Sequence, residues 1–542
     1  MRGLVRAAAA PLACMALLVG AGCGDDRPPV TGITVAASEQ LGPIDPALGA
    51  SAGATEATWL VYTPLLTYRH AEGPDGTTVA PGLAQDTPVI SADGRDYRLT
   101  LRAGLQYSDG TPVRASDFEH EIERVLALRS PGSGLFTGIE GARAYADAGR
   151  PDGDITGITA NDRTGDIRIR LTQPDGTFQN ALATTFSAPV PATTPFADRS
   201  GSPPPGVGLY RIARSVPGRE FVLERNRRFD LSEFPQPNLD TITFRVVGSP
   251  QHQTAEVSAG RIDYMQDTPP PALLPRVRAD HGDRFREFAT GSLAYFFLNP
   301  AKAPFDRIEV RRAVNLAVDR REVVRLLGGL LEPACNALPP TVPGYRRIDP
   351  CPYGKPAGPP DLTAARGLVA RAGARGADVV VWGPRDGGSG AAITNYYASA
   401  LRGIGLRARA RLVDFASYAR TVGDVATGAQ TGFANFQEDL PHPADFLRQF
   451  SGAAITPVGS VNLGRVNDSE ITSAIERLRQ VPDPRRVEAQ WAAVDRTLAQ
   501  RAYLVPLGYL KRTTFVSDRV KLDGCALVHP VYGNDLSSFC GR

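Results

Sequence analysis

The 542-residue sequence is short of several features that would have pointed elsewhere. Past the N-terminus no run reaches roughly 18 consecutive apolar residues, which argues against a membrane bundle. Only four lysines are present, the arginines are interleaved with acids, and the formal net charge is +3. No clustered basic face therefore points to a nucleic-acid partner. The six histidines are dispersed, and neither H-E-x-x-H nor C-x-x-C occurs. A pair such as Asp439 and His442 cannot complete a metal site alone, so no metal and no cofactor is expected. Three Trp and 7% aromatics make sugar stacking unattractive, and internal repeats and low-complexity tracts are missing. What remains, with 42% hydrophobic and 22% charged residues, is the composition of a soluble globular protein. Its length predicts two or three domains.

The N-terminus carries the strongest local signal. Arg2 and Arg6 form a basic start, residues 7–19 are uncharged and mostly apolar, and Gly20-Ala21-Gly22 precede Cys23. As a helix that apolar run spans about 20 Å, short of a hydrocarbon core of roughly 30 Å. It predicts a secretory signal over 1–22, whose two arginines take the net charge from +3 to +1 when they leave. Cys14 leaves as well, so five of the 6 cysteines remain, an odd number for an exported chain. The run Leu18-Val19-Gly20-Ala21-Gly22-Cys23 resembles a bacterial lipobox, with Gly20 where Leu or Val is usual. That resemblance implies a diacylated Cys23, a polar tether over 23–30 and contact with the membrane through this lipid only. Ordinary cleavage, with Cys23 left as a free thiol, is the alternative. The remaining four cysteines are expected to pair by proximity, Cys335 with Cys351 and Cys525 with Cys540.

Hydrophobic periodicity gives the elements. Residues 33–36 read as a first strand, 97–102 alternate with period two, and 154–159 and 167–171 flank a turn at Asn161-Asp162. Ser116 with Glu119 three residues on predicts a capping box. The helix it opens has Phe118, Ile122, Val125 and Leu126 inward and Glu119, Glu121, Glu123 and Arg124 on the wet side. Pro203-Pro204-Pro205 make a stiff break. Strands are predicted over 209–213, 220–224, 242–247, 379–382, 407–412 and 504–509. Helices are predicted over 310–317, 395–401, 415–422, 468–480 and 485–501, with Asp319 and Asp361 capping two more. The alternation of the second half argues for an α/β lobe with a mostly parallel sheet.

The order of these segments resembles the extracellular solute-binding proteins of the oligopeptide/dipeptide family. Leu105-Gln106-Tyr107-Ser108-Asp109-Gly110-Thr111-Pro112-Val113, then Ala115-Ser116-Asp117-Phe118, is similar to the family's "F-x-D-G-x-P-(x)2-A-x-D-V". Gly206-Val207-Gly208-Leu209-Tyr210 resembles "G-T-G-P-Y", and Arg225-Asn226 precedes an aromatic, Phe229. Gly260-Arg261-Ile262-Asp263 resembles "G-x-(I/V)-D"; Val310-Arg311-Arg312-Ala313 with Ala317-Val318-Asp319-Arg320 resembles "V-R-x-A-(x)3-A-I-D-R". Glu438-Asp439-Leu440-Pro441-His442-Pro443 stands where the family has "D-Y-x-x-P". The resemblance implies an α/β, type II periplasmic-binding-protein fold of two lobes that close on ligand, with an extra inserted subdomain. Roughly 31–75, 200–290 and 508–542 would form lobe I, 76–199 the inserted subdomain and 291–507 lobe II. It also implies an exported, monomeric receptor that hands a peptide or similar solute to the permease and ATPase subunits of an ABC importer.

In peptide-binding relatives an aspartate of that loop grips the ligand's α-ammonium, and Asp439 holds the matching place as a buried carboxylate. A charge-assisted hydrogen bond there offsets the desolvation of the ligand's cationic end. Glu438 adjoins it and would raise the negative potential. His442 holds a variable position and is expected to face solvent rather than a metal. The loop Gly49, Ala50, Ser51 and on to Gly53 has side chains small enough for close backbone approach. Tyr396, Tyr397 and Trp382 are candidates for the pocket wall, though aromatics at such spacings more often serve the core. Gly49-Ala50-Ser51-Ala52-Gly53 also matches the G-x-S-x-G elbow of serine hydrolases, but Pro46 spoils the strand that elbow needs. Other solutes (a metal chelate, haem, an oligosaccharide) and a sensor role without transport are the alternatives to peptide import.

Overall fold

The computed structural model describes residues 30–37, 41–49, 51–149, 153–385 and 389–542. The predicted leader, Cys23 and most of the tether lie outside the described residues, as does Ala50.

One strand organises the molecule. Leu504–Val516 is thirteen residues long, and at about 3.3 Å per residue it spans roughly 43 Å, enough to run through two bodies. Its first half pairs antiparallel with Ser292–Leu298, and its second half with Phe285–Ala289 and Tyr264–Met265. A single 12-stranded sheet therefore passes from one lobe into the other. In the first lobe Gly32–Ala37 lies parallel to Thr241–Val246 and to Tyr264–Met265, with Glu220–Arg225 and Tyr210–Val216 antiparallel beyond. Alternate residues Ile33 and Val35 face a core with Leu60, Leu223, Phe244 and Phe539.

In the second lobe Asp378–Pro384 lies parallel to Arg407–Val413 and to Thr431–Gln437. The helix Gly390–Gly403 makes the crossover and buries Ile393, Tyr397 and Leu401 against the sheet. The mostly parallel sheet expected here is in fact mixed. Ser292–Leu298 enters from the neighbouring lobe and sits antiparallel between Thr431–Gln437 and the long strand. All seven of its residues are buried, as for a strand covered on both faces.

A third body holds a four-stranded antiparallel sheet, Val89–Ile90, Asp96–Thr100, Asp166–Arg170 and Ile158–Asn161, with its own core under the helix Ser116–Ala127. Phe118, Ile122, Val125 and Leu126 face that core as expected. Two local expectations fail at this helix. Ser116 does not cap it: its backbone N–H and hydroxyl both donate to Asp162, which closes the turn at 161–165 onto the helix start. The polar face is not wet either, since Glu121, Glu123 and Arg124 are buried. The segment 192–199 wraps that face, and Arg124 donates to the Pro195 carbonyl and to Asp45 and Glu121. Both ion pairs are fully buried, at 2.9 Å and 2.6 Å, and the desolvation of these groups is offset by their mutual geometry and by further hydrogen bonds, among them the Ala47 and Arg199 N–H groups donating to Asp45. Asp319 and Asp361 do cap their helices, through the backbone N–H groups of Arg321 and Ala364, and Asp468 caps its own through that of Glu470. Cys335–Cys351 and Cys525–Cys540 are joined as disulfides.

Candidate functional site

A cavity of about 560 Å³ lies where the three bodies meet. That is within the range of small-molecule sites, roughly 300–1,000 Å³. One wall comes from Gly49, Thr55, Tyr68 and Arg512 together with residues of the small-sheet body, among them Asp175 and Thr184. The facing wall is the loop after Thr431–Gln437 and the C-terminal end of the helix Ser469–Arg479.

The facing loop is built by its own chemistry. Pro441 and Pro443 stiffen it, and the buried Asp445 carboxylate accepts the backbone N–H groups of Asp439 (2.9 Å) and Leu440 (3.2 Å). Burial raises the Asp445 carboxyl above its ordinary range, with the nearby Arg448 guanidinium opposing. Arg448 bridges Asp445 at 3.3 Å and Asp439 at 2.6 Å. Asp439 is not the buried carboxylate that was expected. The Asp439 side chain is 62% exposed within the cleft, whereas Glu438 beside it is 8% exposed. Neither Glu438 carboxyl oxygen has a hydrogen-bond partner among the described residues. Burial, helped by the Asp445 and Asp439 charges, holds its carboxyl well above the ordinary carboxylate range. It packs against Gly291 at the lobe junction, where any Cβ would collide with it.

Asp439, Glu438 and Gly49 thus border one cavity. Other sequence candidates do not. His442 is fully buried instead of facing solvent; its Nδ1 accepts the Ala444 N–H at 3.1 Å and caps the short helix Pro443–Leu447. Burial pushes its imidazole down to about 4, so the ring is neutral. Tyr397 stacks on Phe296 at 3.6 Å and bonds Thr431, a core position. Trp382 is likewise core, with the Arg411 guanidinium 4.4 Å above its ring. Ser51 caps the helix Ala52–Val61 by accepting the Ala54 N–H, and the segment before it turns at 45–48 instead of running in as a strand.

Several wall residues escaped the sequence reading. Arg512 lies on the lobe-crossing strand, and Tyr68 donates to Asn180 at 3.0 Å. Asp175 meets Arg479 at 2.6 Å across the cleft, and the Gly176 N–H donates to the Arg479 carbonyl at 2.7 Å. The Pro174-Asp175-Gly176-Thr177 stretch signals a turn, but nothing local says that it touches a helix three hundred residues on.

Comparison with known proteins agrees with this architecture. Residues 78–456 match the family model of bacterial extracellular solute-binding proteins, family 5 Middle. The periplasmic oligopeptide-binding protein OppA of Salmonella typhimurium is 28% identical over 283 residues, half of this chain and half of its own length. Heme-binding protein A of Haemophilus influenzae is 25% identical over 77% of this chain and 75% of its own. The solved structure of the clavulanic acid biosynthesis oligopeptide binding protein 2 superposes with a TM-score of 0.84 at 27% identity, covering 94% of this chain and 95% of that one. The α/β architecture of two lobes sharing a sheet is the type II periplasmic-binding fold. With a cleft at the lobe junction and a family match over most of its length, the chain belongs to the bacterial extracellular solute-binding proteins, family 5.

Proposed function

We propose that this protein is the extracellular receptor of an ABC importer, capturing oligopeptides or dipeptides between its lobes and delivering them to a membrane permease. The observation that carries the reading is the cavity between lobes with a carboxylate loop on its wall. Asp439 offers an acceptor at the cleft for the ligand's α-ammonium, and Arg448 holds it in place. Glu438 is a second acceptor and Gly49 a point of close backbone approach. The kinship with an oligopeptide-binding relative and an oligopeptide-binding structure supports a peptide over another solute. A haem-binding relative also exists; of the side chains that ligate haem iron the described wall offers Tyr68 and Tyr532 but no His, Cys or Met. The reading takes 31–75, 200–290 and 508–542 as one lobe, 291–507 as the other and 76–199 as the insertion. It takes the protein as a monomer with no catalytic step, held at the outer face of the cytoplasmic membrane by a lipid on Cys23.

Mass spectrometry of ligand co-purified from the native host, then calorimetric titration, tests this directly. Asp439→Asn should weaken binding of free-N-terminus peptides by about 2 kcal/mol, as for the loss of one hydrogen bond to a charged group. Unchanged affinity would remove Asp439 from the site.

A further inference from the structure

Three carboxyl groups stand within eight residues on the facing loop, and the protein treats them unequally. Asp445 is consumed by two backbone N–H groups and by Arg448. Asp439 is met by Arg448. Glu438 alone of the three has no donor on either oxygen among the described residues, although it is more than nine-tenths buried and borders the cavity. Its backbone is pinned, with the N–H donating to the Gly291 carbonyl at 2.9 Å. A buried polar group with no partner is costly to the fold, and a group kept at that cost on a cavity wall points to a partner that arrives with the ligand. The charge balance of the wall gives the sign of that partner. Its described residues carry five carboxyl side chains against three guanidinium groups, and burial holds two of the carboxyls, Glu438 and Asp445, toward their protonated forms, so a cation is the partner that lets them ionise.

We propose that Glu438 is the acceptor for a second cationic group of the ligand, the guanidinium or ammonium of a basic side chain, so that the substrate class is basic peptides. This rests on the peptide reading and narrows it. Asp439 and Glu438 are consecutive, so a free α-ammonium and a basic side chain would be read by one turn of the loop. A guanidinium is the better match, since its planar fork meets both oxygens of one carboxylate. The groups around Glu438 act in both directions. Asp439 and Asp445, on its own loop, oppose its ionisation. Across the cleft the Tyr68 phenol feels both Glu438 and Asp445. Arg448, Arg479 and Arg512 share the wall, with Asp175 and Glu476 beside them. A cation brought against Glu438 favours its ionised form, and the displaced proton passes to the buffer.

Isothermal titration of the purified protein tests this with trialanine, with tripeptides carrying arginine at each position in turn, and with citrulline twins of each. Citrulline keeps the shape and removes the charge. At least one arginine peptide should bind tenfold or more tighter than its twin, and its enthalpy should depend on the ionisation enthalpy of the buffer while the twin's does not. In Glu438→Gln the arginine-to-citrulline ratio should fall to twofold or less. If trialanine binds but arginine and citrulline peptides bind alike to the unaltered protein, or if the ratio survives Glu438→Gln, the assignment is overturned while the peptide reading stands. If no tripeptide binds, the peptide reading falls and this assignment with it.

Discussion

Glu56 is one residue from Thr55 of the cavity wall and sits in the first lobe with no ion pair among the described residues to match its burial. Gln266 donates to it at 2.6 Å, and Tyr264 and the Asn534 N–H approach at 3.4 Å. Burial raises its carboxyl to about 7, with the charge of Arg512 and these hydrogen bonds pulling the other way. The folded protein thus holds this proton more tightly than the unfolded chain does. Its contribution to stability is fully present below about pH 4.5 and is lost as pH rises through about 7. The difference is on the order of 3 kcal/mol. Glu56→Gln keeps the shape and cannot ionise, so the melting temperature of the variant should fall less between pH 5 and pH 8 than that of the parent. Parallel curves for the two proteins would show that Glu56 does not titrate in this window. The sequence offers no hint of such a group, because nothing local marks Glu56 until Asn534 and Tyr264 are brought over it.

At the scale of elements, what is local was legible. Asp319 and Asp361 cap their helices because a cap needs only the next few backbone N–H groups. Ser116 was misread because Asp162, forty-six residues on, competes for the same N–H. The buried face of Ser116–Ala127 was misread for a related reason: the periodicity shows which side is apolar but not that the segment 192–199 covers the other side as well. The disulfides were legible because each joins cysteines close in sequence, 16 and 15 residues apart. They serve different bodies. Cys335–Cys351 packs with Ile348 and Ala499 near the end of the helix Glu488–Gln500, whereas Cys525–Cys540 closes the C-terminal segment whose Leu536 and Phe539 enter the first lobe's core. Closing a loop of this size removes about 3 kcal/mol of unfolded-state freedom. The paired change Cys525→Ser with Cys540→Ser should therefore lower the denaturant midpoint of the first lobe while leaving the second lobe's transition in place. Coincident loss of both transitions would mean that the lobes unfold as one unit.

At the scale of the whole molecule the cleft was expected, because the order of the motifs resembles the family, but its rim was not. Its walls come from segments hundreds of residues apart, and the contact that closes it has no sequence signature. Asp175 and Gly176, in the small-sheet body, meet Arg479 and Val481 at the end of a helix in the second lobe. The ion pair is partly exposed, so it is worth little alone. The backbone approach is the stricter element, since a Cβ on residue 176 would collide with the Val481 carbonyl, which belongs to backbone and has no rotamer to yield. Gly176→Ala should therefore penalise the closed arrangement and leave each body's core untouched. A ligand gripped from both walls binds the closed arrangement best, so its apparent affinity falls with the closed fraction. A penalty of about 1.4 kcal/mol corresponds to a tenfold loss. Small-angle scattering should show a larger radius of gyration for Gly176→Ala than for the parent, titration should show peptide affinity down about tenfold, and thermal melting should be nearly unchanged. Equal scattering profiles together with equal affinities would mean that the 175–176 turn can yield without opening the cleft, and that closure is set at the long strand Leu504–Val516 instead.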